Sequence, residues 1–254
     1  MKPVMILALI VFLAFCSTYF LPIEETFWSM LFWDFFFSVI AGVATVTSFI
    51  TSRIYGYKSV IGKVWLFVSI GLFFWFLGET LWGYYEVFLE EYPFPSIADV
   101  AWLLGYIPFY LALHHQCSHL KTPIPYKEFF IVFLITTLYG FISGVLVIGP
   151  IVKEVEYPLI EKALTMAYPI ADIFLIFCGL IAVSMFKGGR LSRSWLFISL
   201  AFLTSGIADT IFSWLEWQGL YELSSPYDYV DFLWVASYLF FILGAYYEKL
   251  SYKK

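Results

Sequence analysis

The chain has 254 residues, of which 62% are hydrophobic and only 13% are charged. A soluble domain carries about 25% charged residues, so this composition excludes an ordinary soluble protein and indicates a surface that faces lipid. The net charge of −5 also excludes a general basic surface for nucleic acid. We therefore expect the lipid bilayer, and no nucleic acid, among the partners of this chain.

Eight apolar segments follow one another along the chain, each close to the roughly 20 residues of a membrane-spanning helix. They cover residues 4–21, 27–52, 63–89, 97–117, 128–149, 160–186, 194–218 and 229–250. Short loops separate them. No small-x-small cleavage site follows the first segment, so we interpret it as a helix rather than a signal peptide. The sequence predicts an all-α integral membrane protein with eight transmembrane helices.

The distribution of basic residues predicts the orientation, because Lys and Arg concentrate in cytoplasmic loops. With the amino terminus inside, only Lys153 and Lys162 of the 14 Lys and Arg residues lie on the outer side. The outer loops instead carry mainly Glu and Asp. We therefore predict a multi-pass protein of the cell membrane with both termini in the cytoplasm.

Three pairs of sequence blocks recur in the same order and at nearly constant spacing, which indicates an internal duplication. The pairs are FWDFFFSVIAGVATV (32–46) with IADIFLIFCGLIAV (170–183), ETLWGYYE (79–86) with DTIFSWLE (209–216), and ADVAWLLGYIPFYL (98–111) with VDFLWVASYLFFIL (230–243). Spans two to four thus recur as spans six to eight. Because each half has four spans, both halves share one orientation, as in parallel repeats. We predict two parallel four-helix repeats, residues 1–121 and 122–254, in a single membrane domain.

Acidic residues inside the spans are the strongest indication of a functional site, because carboxyl groups are costly in a bilayer. The predicted topology puts all of them in its outer half: Asp34, Glu79, Asp99, Asp172, Asp209 and Asp231. Glu86 and Glu216 follow two helical turns after Glu79 and Asp209. No Lys or Arg lies at that depth, so these carboxyls must be protonated, hydrogen-bonded, hydrated or paired with a bound cation. Each option favours a polar pocket that opens outward between the repeats.

Four of the acids, Asp34, Glu79, Asp172 and Asp209, lie well inside their helices and are the candidate ligand-binding residues. Aromatic residues on the same helix faces complete the predicted pocket: Trp82, Trp102, Tyr168, Trp214 and Trp234. Carboxylates among aromatic rings suit a cationic or amine ligand. Hydrogen bonds that merely hold the helices together are the alternative.

The other two acids fit a structural role at the rim. Ser96-x-x-Asp99 has the form of a capping box, with an acid in the first turn of a helix, and Asp228-x-x-Asp231 repeats this arrangement. We predict that these four residues are helix caps or rim residues.

Catalytic and metal-binding motifs are weak throughout the sequence. His115 and His119 have a spacing that could share a metal ion, but no other span supplies a histidine. No nucleophile, phosphate-binding or dinucleotide-binding motif stands in a usable context. We therefore predict no metal site and no catalytic residue, and the cofactor remains unknown.

The segments YPFPSIADVAWLLGYIPFYLAL, AYPIADIFL and DYVDFLWVASYLFFILGAYYE resemble the multi-pass amino-terminal membrane sensor regions of some prokaryotic histidine kinases and diguanylate cyclases. The resemblance implies a sensor. In those proteins an output domain follows, whereas this sequence reads EKLSYKK after Tyr247. We therefore expect a separate signalling partner on the inner side.

Three functional hypotheses follow. The favoured one is a non-enzymatic, sensor-like membrane protein that binds a small cationic or lipidic ligand in an acidic aromatic pocket open to the outer side. A secondary transporter, or a proton or cation pathway, would use the same acids. It should also carry polar residues through to the inner half, which is mostly apolar in this sequence. A membrane enzyme that acts on lipid is the third hypothesis.

Overall fold

The computed structural model describes residues 3–21, 26–119, 123–189, 191–221 and 228–252. Within these ranges the chain is helical and has no strand, so the prediction of an all-α protein is confirmed. The main helices are α1 (Pro3–Thr18), α2 (Phe27–Tyr55), α3 (Val60–Tyr84), α4 (Ile97–Ser118), α5 (Tyr126–Ser143), α6 (Leu159–Phe186), α7 (Ser192–Trp217) and α8 (Asp231–Tyr252). Each coincides with one of the eight apolar segments of the sequence.

Three short helical segments extend or precede these helices. A π-helical segment, Tyr85–Leu89, continues α3. Another, Gly144–Ile148, continues α5 and leads into a short helix, Gly149–Lys153. A 3-10 turn, Asp228–Val230, precedes α8. The wider π turns rotate the side chains that follow them, and such segments occur often at functional sites.

Six of the helices, α2 to α7, are long and apolar enough to cross a membrane. The chain is therefore built as a multi-pass membrane protein. The described part of α1 has only 16 residues, and α8, with 22 residues, is not among the six. The predicted number of eight spans is thus matched by eight helices, six of which meet the length and apolarity of a span.

Local sequence explains where several helices begin and end. Thr26 and Ser29 form a capping box at the start of α2, and the Ser59 hydroxyl accepts a hydrogen bond from the Gly62 amide at 2.9 Å at the start of α3. These side chains satisfy amides that have no partner inside the helix. Gly56, with a φ of 79°, ends α2 in a conformation that favours glycine.

Six helices form a closed ring in the order α2, α3, α4, α6, α7 and α8, with α8 packed against α2. The other two lie outside this ring. α1 packs against α8, and its Phe15 stacks on Phe36 of α2 at 4.5 Å between ring centroids. α5 packs against α6, and the Tyr139 hydroxyl donates to the Gly206 carbonyl of α7 at 2.8 Å.

Aromatic rings fill the centre of the six-helix ring. Phe109 of α4 and Phe241 of α8 stack at 5.5 Å with an interplanar angle of 12°. Phe202 packs edge-on against both at 5.3 Å, and Trp75 packs edge-on against Phe109 at 4.8 Å. Because lipid tails are as apolar as these side chains, close packing rather than exclusion of water stabilises such a core in a bilayer.

Candidate functional site

A cavity of about 340 Å³ lies at the end of the bundle where α2, α4, α6 and α8 begin and where α3 and α7 end. This volume is in the range of small-molecule sites. The carboxyls that line it are Asp34, Glu79, Glu86, Asp209 and Asp231. Trp, Tyr and Phe form most of the remaining wall, and none of the described lining residues is Lys, Arg or His.

Seven of the nine predicted ligand-binding residues line this cavity: Asp34, Glu79, Asp209, Trp82, Trp102, Tyr168 and Trp234. The other two are not lining residues. Asp172 lies in contact with Asp209 and is only 1% exposed. Trp214 of α7 is half-buried away from the cavity. Asp231, predicted at the rim, is itself a lining residue.

Two lining acids have matching hydrogen-bond partners. Glu79 of α3 accepts from the Tyr238 hydroxyl at 2.5 Å, and the Trp102 indole lies close to it. Asp209 of α7 accepts from the Trp234 indole at 2.6 Å, and the Tyr106 hydroxyl lies 2.9 Å from its Oδ2. Each acid therefore contacts a tyrosine hydroxyl from the other half of the chain and lies beside a tryptophan from the next helix of its own half.

Asp172 and Asp209 form a buried carboxyl pair, and Tyr106 joins them. The Tyr106 hydroxyl oxygen lies 2.9 Å from Asp172 Oδ1 and 2.9 Å from Asp209 Oδ2. The side chains of the two aspartates also contact each other. Asp172 Oδ2 is buried without a hydrogen-bond partner in the described part of the chain.

Asp34 and Glu86 form a second carboxyl pair, which is more open. Both side chains line the cavity, both are half-buried, and they lie next to each other. Glu86 lies in the π-helical segment that continues α3. Gly83 allows α2 to approach, because a Cβ at this position would lie 2.6 Å from Asp34 Cβ.

The predicted rim acids lie at the starts of α4 and α8, and two of them accept hydrogen bonds from tyrosine hydroxyls. Ser96 and Asp99 form a capping box at the start of α4, and Asp99 also accepts from the Tyr168 hydroxyl at 2.7 Å. Asp231 begins α8 and accepts from the Tyr19 hydroxyl at 2.6 Å. The backbone of Asp228 begins the 3-10 turn before α8, but its side chain lies outside the described residues.

The loop between α3 and α4 reaches across the ring to α7. The Tyr92 hydroxyl donates to Glu216 Oε2, and the Tyr92 ring packs edge-on against Trp82 of the cavity wall at 5.7 Å. Burial and the neighbouring Glu216 carboxylate raise the pKa of the Tyr92 hydroxyl above its usual range. Tyr92 therefore remains a hydrogen-bond donor at physiological pH. Glu216 accepts this hydrogen bond and does not line the cavity.

Sequence reasoning missed the two tyrosines that link the halves, Tyr106 and Tyr238, as hydrogen-bond donors. It also missed Glu248 in the last turns of α8, at the opposite end of the bundle. Glu248 is 1% exposed, and its carboxyl oxygens have no hydrogen-bond partner among the described residues. A signal existed, because Glu248 follows the buried Gln116 at the same spacing that relates Asp231 to Asp99.

Comparisons with known proteins provide no identity for this chain: no protein-family model, curated protein or solved structure matches it. Within the described ranges, no three His, Cys, Asp or Glu side chains converge as a metal site. His115 and His119 lie side by side, with ring centroids 4.3 Å apart, at the end of α4 away from the cavity. The carboxyl-lined aromatic cavity is therefore the feature on which a functional proposal can rest.

Proposed function

We propose that this protein binds a small organic cation, or a lipid headgroup that carries an ammonium group, in the acidic aromatic cavity and acts as a sensor for it. One observation carries the proposal: five carboxyls and a wall of Trp, Tyr and Phe surround a space whose described lining contains no basic side chain. Carboxylates attract a cation, and aromatic faces favour the methyl groups and charge of a quaternary ammonium.

The proposed architecture is two parallel four-helix repeats, residues 1–121 and 122–254. The reciprocal hydrogen bonds of Glu79 and Asp209 support it, as does the match between WLFVS (65–69) and WLFIS (195–199), whose tryptophans are both buried. The closed helix ring is also consistent with a two-fold relation, because its contacts α4–α6 and α8–α2 exchange when the halves are exchanged. In such a repeat the cavity lies between the halves.

The proposed orientation puts the cavity at the outer face of the cell membrane and both termini in the cytoplasm. The excess of Lys and Arg in the loops at the other end supports it. A ligand that contacts α3 and α7 touches both halves, so binding can shift one half relative to the other. A separate signalling partner on the inner side would read that change.

A cation or proton pathway is the second candidate function. The observation in its favour is Glu248 at the opposite end of the bundle, a buried carboxyl with no hydrogen-bond partner among the described residues. Burial of such a group destabilises the fold, and acids of this kind often mark ion or proton pathways. Its surroundings include Ser194, Tyr55 and Trp65, so the inner half is less uniformly apolar than the sequence predicted. Transport would require that these groups and the cavity be connected during a cycle.

Titration of the purified protein in detergent with tetramethylammonium tests the proposal. Five tryptophans line the cavity, Trp33, Trp75, Trp82, Trp102 and Trp234, so binding should change the intrinsic fluorescence in a saturable way. Asp209→Asn should weaken the affinity about 30-fold, or about 2 kcal/mol, because a desolvated charge is lost. Glu216→Gln, outside the cavity, should leave it unchanged.

Two further measurements distinguish a free cation from a lipid headgroup as the ligand, and binding from transport. Nanodiscs of phosphatidylcholine, but not of phosphatidylglycerol, should compete with tetramethylammonium if the natural ligand is a lipid headgroup. Flux of tetramethylammonium or protons into liposomes that depends on Asp209 would instead support a pathway. Absence of saturable binding, or equal binding by the Asp209→Asn variant, would refute the cation site.

A further inference from the structure

The buried carboxyl pair below the cavity is not explained by cation binding alone. Only Asp209 of this pair lines the cavity. Asp172 lies behind it, 1% exposed, and cannot contact a ligand directly. A buried carboxyl that no ligand reaches needs another partner, because an unpaired charge in such a place is very costly.

Hydrogen-bond geometry indicates what that partner is. Tyr106 has a single hydroxyl proton, yet its oxygen lies within 2.9 Å of both carboxyls. Both contacts are hydrogen bonds only if one carboxyl carries a proton and donates it. That proton lies on the Asp172 or the Asp209 oxygen that faces the Tyr106 hydroxyl, so the two carboxyls share it through Tyr106.

The groups that face the pair supply no positive charge. Tyr106 comes from α4, Tyr168 from α6, Tyr139 from α5 and Tyr238 from α8. From α3, Glu79 adds only a further carboxyl near Asp209. No Lys, Arg or His of the described chain interacts with either aspartate. A proton or a bound cation is therefore the available counter-charge, and two adjacent carboxyls titrate as one unit.

We infer that Asp172 and Asp209 store one proton between them in the ligand-free protein, and that a cation bound against Asp209 displaces it. This inference rests on the proposed cation site. The step is balanced: the shared proton leaves to water, both carboxyls become charged, and the bound cation replaces the proton as their counter-ion. Ligand binding is thereby coupled to proton release at a site that the ligand only partly touches.

Coupling of this kind has a quantitative signature. If one proton leaves for each cation that binds, the affinity for tetramethylammonium should rise about tenfold per pH unit over the range in which the pair is protonated. About one proton per bound cation should appear in a weakly buffered solution that contains a pH indicator dye. Asp172→Asn keeps the size of the side chain and donates an amide hydrogen to Asp209, so the variant should bind without this pH dependence and without proton release.

Infrared spectroscopy on the purified protein tests the stored proton without any ligand. The wild type should show the carbonyl band of a protonated carboxyl that shifts in deuterated water, is lost in both Asp172→Asn and Asp209→Asn, and persists in Glu216→Gln. Absence of this band overturns the inference whether or not tetramethylammonium binds. A band that remains unchanged during saturable binding, with no proton released, overturns the coupling.

A third result separates this inference from the proposed function. If tetramethylammonium does not bind to the wild type at any pH, the proposed function fails and the coupling fails with it. The band sensitive to Asp172 would in that case still establish the stored proton. Because the infrared experiment uses the wild-type protein, the inference remains open to refutation even if the Asp172→Asn variant does not fold.

Discussion

The two carboxyl pairs of the cavity region are built alike but lie at different depths. Asp34 and Glu86 both line the cavity and are half-buried. In the other pair, Asp172 is 1% and Asp209 8% exposed. Water or a ligand can therefore reach both members of the open pair, whereas the buried pair meets the cavity through Asp209 alone. The same chemical motif thus lies on the cavity wall in one half of the chain and in the core in the other.

The difference arises from where the second carboxyl lies along its helix. Asp34 pairs with Glu86, which follows the end of α3 in a π-helical segment near the mouth of the cavity. Asp172 pairs with Asp209, about two turns earlier in the equivalent helix. A shift of seven positions along one helix is enough to move the pair from the cavity wall into the core.

Removal of one carboxyl should have the largest effect in the buried pair. Asp172→Ala removes one of the two carboxyls that Tyr106 contacts and leaves a cavity in a closed site, and we expect a loss of roughly 2–4 kcal/mol in the free energy of unfolding. Asp34→Ala should cost less than about 1 kcal/mol, because water reaches this group. Thermal unfolding of both variants in the same detergent, followed by circular dichroism, measures the difference. Equal losses would show that burial does not distinguish the pairs.

Removal of a tyrosine hydroxyl should likewise cost more unfolding free energy at the buried pair than at Glu79. Tyr106→Phe removes the hydroxyl that joins both buried aspartates, and we expect a loss of about 2 kcal/mol in unfolding free energy. Tyr238→Phe removes a bond to one carboxyl, Glu79, and should cost about 1 kcal/mol. The same unfolding assay compares them. A larger loss for Tyr238→Phe would argue that Tyr106 does not hold the pair together.

The smallest effect is expected at the open pair, in ligand affinity. Glu86→Gln removes one carboxyl from a wall that keeps four others, so tetramethylammonium should bind roughly threefold more weakly, or about 0.7 kcal/mol. Glu216→Gln is its matched control, because Glu216 has the equivalent place in the other half but bonds to Tyr92. Fluorescence titration measures both. Equal weakening in the two variants would exclude a direct role for Glu86 in the cavity.

Much of the fold could be predicted from the sequence, because helices in a bilayer must be long, apolar and internally hydrogen-bonded. Each apolar segment indeed became a helix. The acids at the ends of α2, α3 and α7 could likewise be assigned to one end of the bundle, since antiparallel neighbours bring alternate helix ends together. The tyrosines and acids of α8 lower its mean hydropathy, so α8 is not among the six helices that are both long and apolar enough to span a membrane.

Depth within the cavity could not be predicted, because it depends on rotation of each helix about its axis. Asp172 and Asp34 occupy matching positions in the similar sequence blocks 170–183 and 32–46, yet only Asp34 reaches the cavity. Trp214 is similar: it lies near Asp209 in sequence but on a different face of α7. The partners Tyr106 and Tyr238 come from the opposite half of the chain, and a single sequence contains no signal for such pairing across the ring.

The stack of Phe109 and Phe241 has a consequence for permeation. Both rings are fully buried, at 0% exposure, and with Phe202 they occupy the axis of the helix ring between the cavity and Glu248. Trp75, which lines the cavity, packs edge-on against both rings. An ion could pass this level only if α4 and α8, one from each half of the chain, moved apart far enough to unstack the two rings. A transport function would therefore require this contact to open, whereas ligand binding in the cavity would not.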